Sequence, residues 1–186
     1  MSCLPLTPVG ERIIRTSQVD FSTGLDFTNN YSTIYRPVTT TVGEFVGAFA
    51  ESERLAEIVQ FEVEENNTLD ADTRKYPLRF LLYTSAAPTA PTANADYAPS
   101  LTNYIGMVKV ATADYTLIGA GKWRATLTQE QLIANDSTIY LKSGTDATIY
   151  GTSIFATIIY DAAGGSNKYI SGATLKVRIW LRDCVG

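Results

Sequence analysis

Hydrophobic and polar residues alternate along several short segments of the chain, which is the pattern of β-strands with one buried face. In the segment from Ile58 to Glu64, residues 59, 61 and 63 are apolar and residues 60, 62 and 64 are polar. The segment from Thr174 to Arg182 alternates in the same way. Four of its side chains are expected to face inward: Leu175, Val177, Ile179 and Leu181. The segment from Ile154 to Tyr160 is apolar on both faces, which predicts a central strand.

A strand followed by a long loop stands out between residues 78 and 97. Leu78, Phe80 and Leu82 alternate with Arg79, Leu81 and Tyr83, which predicts a half-buried strand with Leu78, Phe80 and Leu82 in the core. A Pro/Ala/Thr/Asn stretch then begins, and its prolines lack backbone donors and end the strand. Loops of this length inside compact β domains are often functional, so we expect this one to lie against another molecule.

One short helix is predicted after the strand that contains Trp123, Ala125 and Leu127. Thr128 and Gln131 have the spacing of a capping box, in which each side chain bonds the other residue's backbone amide. Short strands joined by Gly, Asn, Asp and Pro turns, with a single helix, indicate an all-β fold. We predict an antiparallel β-sandwich or jelly-roll-like barrel over residues 36–186, preceded by an N-terminal arm over residues 1–35.

Length and charge narrow the classes of function. A chain of 186 residues suits one domain with its own core. The net charge of −4 and the scattered lysines and arginines disfavour nucleic acid as a partner. No segment approaches the roughly 20 apolar residues of a membrane helix. The first residues also lack the basic and apolar regions of a secretory signal.

Little in the sequence supports catalysis, a cofactor or a metal site. The chain has no histidine, which removes the common catalytic triads and His-ligated zinc. Residues 119–122 (GAGK) only superficially resemble a phosphate-binding loop and are better explained as a hairpin turn. Paired carboxylates are the remaining catalytic option, with Glu62 and Glu64 as the candidates. Asp70 and Asp72 are conceivable calcium ligands without EF-hand spacing. We therefore predict a protein that is not an enzyme and needs no cofactor or metal.

Two cysteines, Cys3 and Cys184, lie near the two termini. A disulfide between them would tie the termini together, whereas two free thiols in the chain ends fit the sequence equally well. Both alternatives remain open at the level of sequence.

The order of several short segments is distinctive, although no residue in them is a chemical signature. These segments are Tyr35-Arg36-Pro37, residues 39–47, 58–61 and 78–83, Ala87-Pro88-Thr89, residues 94–97, Tyr104-Ile105-Gly106, and residues 149–151 leading to 154–160. Their order resembles a family of small β proteins of tailed bacteriophages that coat or cement the capsid. The resemblance spans roughly residues 35 to 160. It implies a jelly-roll-like or related sandwich fold and binding as small oligomers over junctions between capsid subunits.

The resemblance leads to a specific functional hypothesis. It implies a virion protein on the capsid surface that binds the major capsid protein, associates with itself as a homodimer or homotrimer, and stabilises the shell. Aromatic residues usually anchor such interfaces. Our candidate partner-binding residues are Pro88, Pro91, Asn94, Tyr97 and Trp180. The main alternative is a carbohydrate- or receptor-binding β-sandwich of a tail or fibre, suggested by Trp180, the tyrosines and the Thr/Asn-rich loops.

Overall fold

The computed structural model describes residues 14–27, 36–49, 55–66, 76–84, 89–92, 95–98, 101–143, 152–162, 169 and 171–184. Within these residues the chain forms ten β-strands and one α-helix. In chain order the elements are β1 (Ile14–Asp20), β2 (Gly43–Phe45), β3 (Leu55–Asn66), β4 (Leu78–Thr84), β5 (Tyr104–Val110), β6 (Tyr115–Gly119), β7 (Lys122–Thr128), α1 (Gln129–Ala134), β8 (Tyr140–Lys142), β9 (Ile154–Tyr160) and β10 (Thr174–Cys184).

The strands form two antiparallel sheets. The larger sheet has the order β1-β10-β3-β7-β6, with β8 pairing with the first residues of β3, and the smaller has the order β2-β9-β4-β5. Their inner faces share one core, in which the rings of Phe61 (β3) and Phe80 (β4) meet edge to face with centroids 5.0 Å apart. The predicted all-β sandwich is therefore confirmed.

Eight of the strands have the connectivity of a jelly roll. One sheet of the jelly roll contains β1, β10, β3 and β8, and the other contains β2, β9, β4 and β5. Along the chain these eight strands alternate between the two sheets, except that β4 and β5 are consecutive in the smaller sheet. The remaining elements, β6, β7 and α1, are inserted between β5 and β8 and extend the larger sheet past β3. Because of this insertion, the larger sheet ends at β6, a strand that is not part of the eight-stranded jelly roll.

The inserted elements fold as local sequence predicts. Strands β6 and β7 form a hairpin whose turn contains Gly121 at φ 65°, a left-handed conformation that glycine adopts without strain. The segment that superficially resembled a phosphate-binding loop is therefore a hairpin turn. At the start of α1, the Gln131 amide donates to the Thr128 hydroxyl, and the Thr128 amide donates to the Gln131 side chain at 2.9 Å. The predicted capping box is confirmed.

Strand β4 is buried on both faces, which corrects the predicted half-buried pattern. Leu78, Phe80 and Leu82 enter the core between the sheets, as predicted. The other face was expected to be polar or exposed, yet Leu81 and Tyr83 are also buried there. The reason is that a loop covers this outer face, as described below.

Strand β3 departs from its predicted alternation at a bulge. In its pairing with β10, Gln60 lies opposite Trp180 and Ile58 lies opposite Leu181, so Val59 is an extra residue. Phe61 is buried as predicted, as is Val63 two residues further on, but Val59 is only half-buried and Ile58 enters the core in its place. A bulge makes the alternation on one side of it opposite in phase to the alternation on the other side. A sequence pattern with a fixed period of two residues cannot anticipate this change.

The other two strand predictions are confirmed. Every residue of β9 is buried, and the strand lies between β2 and β4. In β10 the four side chains predicted to face inward are all buried.

The predicted boundary of the N-terminal arm does not match the sheet. Strand β1, which falls within residues 1–35, pairs along its whole length with β10, from Ile14 opposite Arg182 to Asp20 opposite Lys176. Strand β1 lies at the edge of the larger sheet and none of its residues is fully buried, so its sequence shows only a weak alternation of apolar and polar residues. Residues 14–20 therefore belong to the sandwich, and an arm over residues 1–13 lies outside the described residues.

Candidate functional site

The outer face of the smaller sheet is apolar. Leu81 and Tyr83 of β4 and Phe155 and Ile159 of β9 point away from the core between the sheets and are nevertheless buried. Neighbouring strands supply partly buried companions, including Tyr104, whose ring meets that of Tyr83 edge to face with centroids 5.8 Å apart. An apolar outer face on a jelly-roll sheet needs a cover, because contiguous exposed apolar area is unfavourable in water.

Part of that cover is the loop that the sequence singled out, which we call the covering loop and define by its described residues 89–92 and 95–98. Tyr97 packs against the apolar face, and its hydroxyl donates a hydrogen bond to the Thr89 carbonyl at 3.1 Å. Pro91 is buried. Arg36 holds the loop through an ion pair with Asp96, with Nε and Oδ1 3.7 Å apart. The loop therefore contacts the sandwich through the Tyr97 ring and the Arg36–Asp96 ion pair, while the bond from Tyr97 to Thr89 lies within the loop.

The outward side of the covering loop is a shallow surface of small side chains. Six of its residues are exposed or border a depression of about 280 Å³: Thr89, Ala90, Thr92, Ala95, Asp96 and Ala98. Three residues further on, Leu101 is 81% exposed, the largest fraction among the described large hydrophobic residues. The Tyr104 amide donates to the Leu101 carbonyl at 3.3 Å, which links this leucine to the start of β5. Small exposed side chains leave room for a partner surface to approach, and burying an exposed leucine against that surface would be favourable.

The phenols beneath the loop remain protonated near neutral pH. Burial raises the pKa of Tyr83, the Tyr97 hydroxyl raises it further, and Thr157 opposes the change. Burial also raises the pKa of Tyr104, with the charge of Arg79 opposing. Both phenols are therefore uncharged near neutral pH and do not act as proton-transfer groups there.

The opposite outer face, on the larger sheet, is polar and ion-paired. Arg124 Nη2 lies 2.7 Å from Glu64, and Arg178 Nη1 lies 3.4 Å from Glu62. The Arg178 guanidinium also lies over the ring of Trp180, 5.4 Å from its centroid. The adjoining groove has a volume of about 170 Å³. The two candidate catalytic carboxylates are thus both engaged by arginines on a shallow surface.

A buried carboxyl lies at one end of the core. The hydroxyls of Tyr169 and Tyr115 both donate to Oε1 of Glu65, at 2.7 and 2.9 Å. Burial raises the pKa of Glu65 to about 7, although these two hydroxyls and the Tyr76 backbone favour the charged form. Burial, followed by the charge and hydrogen bond of Glu65, raises the pKa of Tyr115 well above its usual range. The cluster is enclosed, so it concerns stability and not ligand binding.

The predicted partner-binding residues do not form one surface. Tyr97 packs on the outer face of the smaller sheet, Pro91 is buried within the covering loop, and half-buried Trp180 lies on the outer face of the larger sheet. Pro88 and Asn94 lie outside the described residues. Their roles in binding, and that of the exposed part of the loop, remain predictions.

Other sequence expectations concern cysteines, metals and membranes. Cys184 is disulfide-bonded, while Cys3, the other cysteine of the chain, lies outside the described residues, as do Asp70 and Asp72. Across the part of the chain that the structure describes, no group of three or more acidic, Cys or His side chains is placed to hold a metal. Within the same part, no helix has the length and apolar character to span a membrane.

Sequence reasoning missed Leu101 and the exposed strand β6. The sequence pattern did not identify Leu101, because a single leucine in a polar loop shows no periodicity. In β6, Leu117 and Ile118 are adjacent apolar residues that are both exposed. Adjacent residues of a strand point to opposite faces, so two apolar neighbours suggest a strand buried on both faces. Both are exposed because β6 lies at the edge of the larger sheet.

Comparisons with known proteins reveal no family. No family model and no curated protein matches the chain. Among solved structures, a chain of desmodium yellow mottle tymovirus is similar at 11% identity and TM-score 0.30, covering 100% of this chain and 97% of that one. A marine algae virus of the order Picornavirales is similar at 11% identity and TM-score 0.25, covering 91% and 68%. Cocksfoot mottle virus is similar at 16% identity and TM-score 0.27, covering 98% and 97%. Overlaps as loose as these carry no inference about this chain.

Proposed function

We propose that this protein is a structural component of a virion that binds the outer surface of a phage capsid and cements the shell. The observation that carries the proposal is the covering loop, which is fixed to the sandwich by Tyr97 and Arg36 and turns small side chains outward. Leu101 lies in the same β4–β5 connection, just before β5, and adds an exposed apolar side chain. A rigid sandwich with a firmly held contact loop is suited to a protein that binds without catalysis.

The order of segments along the chain supports the capsid as the partner, since it resembles that of phage capsid decoration proteins. A jelly roll is also common among capsid domains, although a fold alone does not determine function. Each contact of a cement protein can be weak, because many copies bind a symmetric lattice and their effects add. The partner would be the major capsid protein, with binding at junctions between its subunits.

Binding to capsids that lack this protein tests the proposal. Purified protein is mixed with such capsids and sedimented, and the bound fraction is measured against protein concentration. We expect saturable binding, and we expect Leu101→Glu to weaken it at least tenfold because a charge would replace an exposed apolar anchor. Ile133→Glu is the matched control, since Ile133 is 56% exposed on α1, outside the covering loop. Absence of binding across several salt concentrations and capsid maturation states would overturn the proposal.

The second candidate is a carbohydrate-binding module that uses the outer face of the larger sheet. The observation in its favour is the polar groove lined by Gln18, Glu62 and Lys176, which lies beside Arg178 and Trp180. However, the Arg178 guanidinium lies over the Trp180 ring and would have to move before a sugar could stack there. A glycan array in which Trp180→Ala abolishes a signal would favour this candidate over the capsid.

A further inference from the structure

The sheet edges of this molecule differ in how they are protected. The edge strand β1 is approached by β2, with the Ser17 hydroxyl donating to the Val46 carbonyl at 3.1 Å. The edge strand β5 is covered by the segment before β8, where the Thr138 amide donates to the Met107 carbonyl at 2.7 Å and the Met107 amide donates to the Thr138 hydroxyl at 3.1 Å. On the outer side of β6, none of the described residues makes a backbone hydrogen bond to the strand.

The composition of β6 does not discourage pairing with another strand. Natural edge strands usually carry charges, prolines or bulges that prevent such pairing. Strand β6 reads YTLIG and has no charge and no proline, and its side chains Leu117 and Ile118 are 50% and 44% exposed. Its one irregularity is a register shift between Leu117 and Gly119, next to the hairpin turn. Residues 115–117 keep a regular edge.

The hairpin that carries this edge is held firmly in place. The Tyr115 hydroxyl donates to the buried Glu65 at 2.9 Å, and on the other face Arg124 Nη2 donates to Glu64 at 2.7 Å. Strand β7 pairs with β3 from Lys122 to Thr128. The free edge is therefore already in its binding conformation, so pairing requires little further ordering.

We propose that β6 is a self-association site at which two copies of this chain pair antiparallel about a two-fold axis and join their larger sheets. A second copy is the fitting occupant because the edge is uncharged along its whole length. With Leu117 opposite its own copy, Thr116 faces Ile118 and Tyr115 faces Gly119, so no pair brings like charges together. A two-fold axis at Leu117 brings the same uncharged edge of each copy together, so the free backbone donors and acceptors of one copy pair with those of the other.

The expected dimer is weak in solution. A strand of five residues buries less than the roughly 1,200 Å² of total surface typical of stable complexes. We therefore expect a dissociation constant in the micromolar range. Since no ion pair contributes across the edge, raising the salt concentration should leave the affinity nearly unchanged. This inference does not depend on capsid binding, because it concerns the protein alone in solution.

Sedimentation equilibrium over a wide concentration range tests the dimer. We expect the wild type to pass from monomer to dimer, and Leu117→Glu to raise the dissociation constant at least tenfold by placing two carboxylates opposite each other. Ile133→Glu adds the same charge at an exposed apolar residue on α1 and should associate like the wild type. A wild type that remains monomeric throughout, or an equal loss in both variants, would overturn the proposal.

Hydrogen exchange of the wild type gives a second readout that does not depend on how Leu117→Glu folds. Backbone amides of residues 116–118 should become more protected as protein concentration rises, while amides of β1 should not. Association without added protection in β6 would place the interface elsewhere and refute the assignment. Capsid sedimentation of Leu117→Glu separates the two proposals, since loss of the dimer leaves the Leu101 surface intact.

Discussion

The hydroxyl of Tyr169 lies 2.7 Å from Oε1 of Glu65, although the two residues are 104 positions apart in the chain. This bond connects the segment before β10 to the far end of β3, inside the core. Tyr115 donates to the same oxygen, so the inserted hairpin is fastened to the same carboxyl. A buried acid thus joins three parts of the sandwich, and its protonation state affects how firmly they are held.

Stability should fall as pH rises from about 4.5 to about 7. Glu65 has an ordinary pKa of 4.5 and a folded-state pKa of about 7, so the folded protein binds the proton more tightly than the unfolded chain. Its contribution is fully present below pH 4.5 and is lost as pH rises through about 7, with a total of roughly 3 kcal/mol. Urea unfolding at a series of pH values measures this change.

Glu65→Gln should flatten that pH profile, because the amide does not titrate. Glu130→Gln removes an exposed carboxyl on α1 and should keep the wild-type slope. If Glu65→Gln retains the wild-type dependence between pH 4.5 and 7, the buried carboxyl is not its source.

An acid-sensitive contribution of opposite sign should come from Glu57. Burial by itself raises the pKa of Glu57, but hydrogen bonds from Arg182 and Gln129 and the charge of Arg182 together lower it below 4.5. Arg182 donates to Glu57 Oε2 from Nε at 2.9 Å and also from Nη2. The stability from this carboxyl is therefore present above pH 4.5 and is lost as pH falls through the lowered folded-state pKa.

Arg182→Met should destabilise the protein by about 2 kcal/mol at pH 7, because it leaves the buried Glu57 carboxylate without its cation. We expect a modest loss, since a quarter of the Arg182 side chain is solvated. The loss should shrink as pH falls below 4.5, since Glu57 is then increasingly neutral in both proteins. A deficit that is independent of pH would indicate lost packing and not lost charge.

Truncating Tyr97 should loosen the covering loop while leaving the core intact. Tyr97→Ala should cost about 2 kcal/mol by removing the ring from the apolar face. Tyr97→Phe should cost about 1 kcal/mol, because the ring stays while the hydroxyl's hydrogen bond to Thr89 and its interaction with the Tyr83 hydroxyl are lost. Hydrogen exchange should show faster exchange in residues 89–98 for the alanine variant, with little change in β10. Equal exchange in all three proteins would show that Tyr97 does not hold the loop.

The capping box should contribute measurably to the inserted helix. Thr128→Ala removes the acceptor for the Gln131 amide and should lower stability by about 1 kcal/mol. Thr128→Ser keeps a hydroxyl at this position and is the matched control. The measurement is again urea unfolding, and an alanine variant as stable as the serine variant would contradict the role of the cap.

Sequence patterns predicted the strands of the core well, because burial imposes an alternation that residues such as Phe80 and Ile179 display directly. They failed where tertiary structure overrides the local pattern. The bulge at Val59 shifts the alternation of β3, and the edge position of β1 weakens its signal. The burial of Leu81 depends on a tertiary contact, because the loop after β4 packs over a face that Leu81 shares with Phe155 and Ile159 of β9.

The candidate site was only partly predictable. The sequence drew attention to the loop through its prolines and its length, but it did not show that Tyr97, a predicted partner-binding residue, packs against the protein's own sheet. Which loop residues turn outward depends on how the loop is anchored, and this is not visible in composition. Leu101 is exposed, and the outer edge of β6 is unpaired among the described residues. Both properties depend on where other segments lie in the fold, so a single sequence gives no direct signal for either.

The stability of the capsid itself tests the central claim most directly. Capsids lacking this protein are heated in a calorimeter with increasing amounts of purified protein, and the temperature of shell disruption is recorded. We predict that this temperature rises and saturates at a fixed ratio to the major capsid protein, with a smaller rise for Leu101→Glu than for Ile133→Glu. An unchanged disruption temperature at saturating amounts of folded protein would contradict the cementing role.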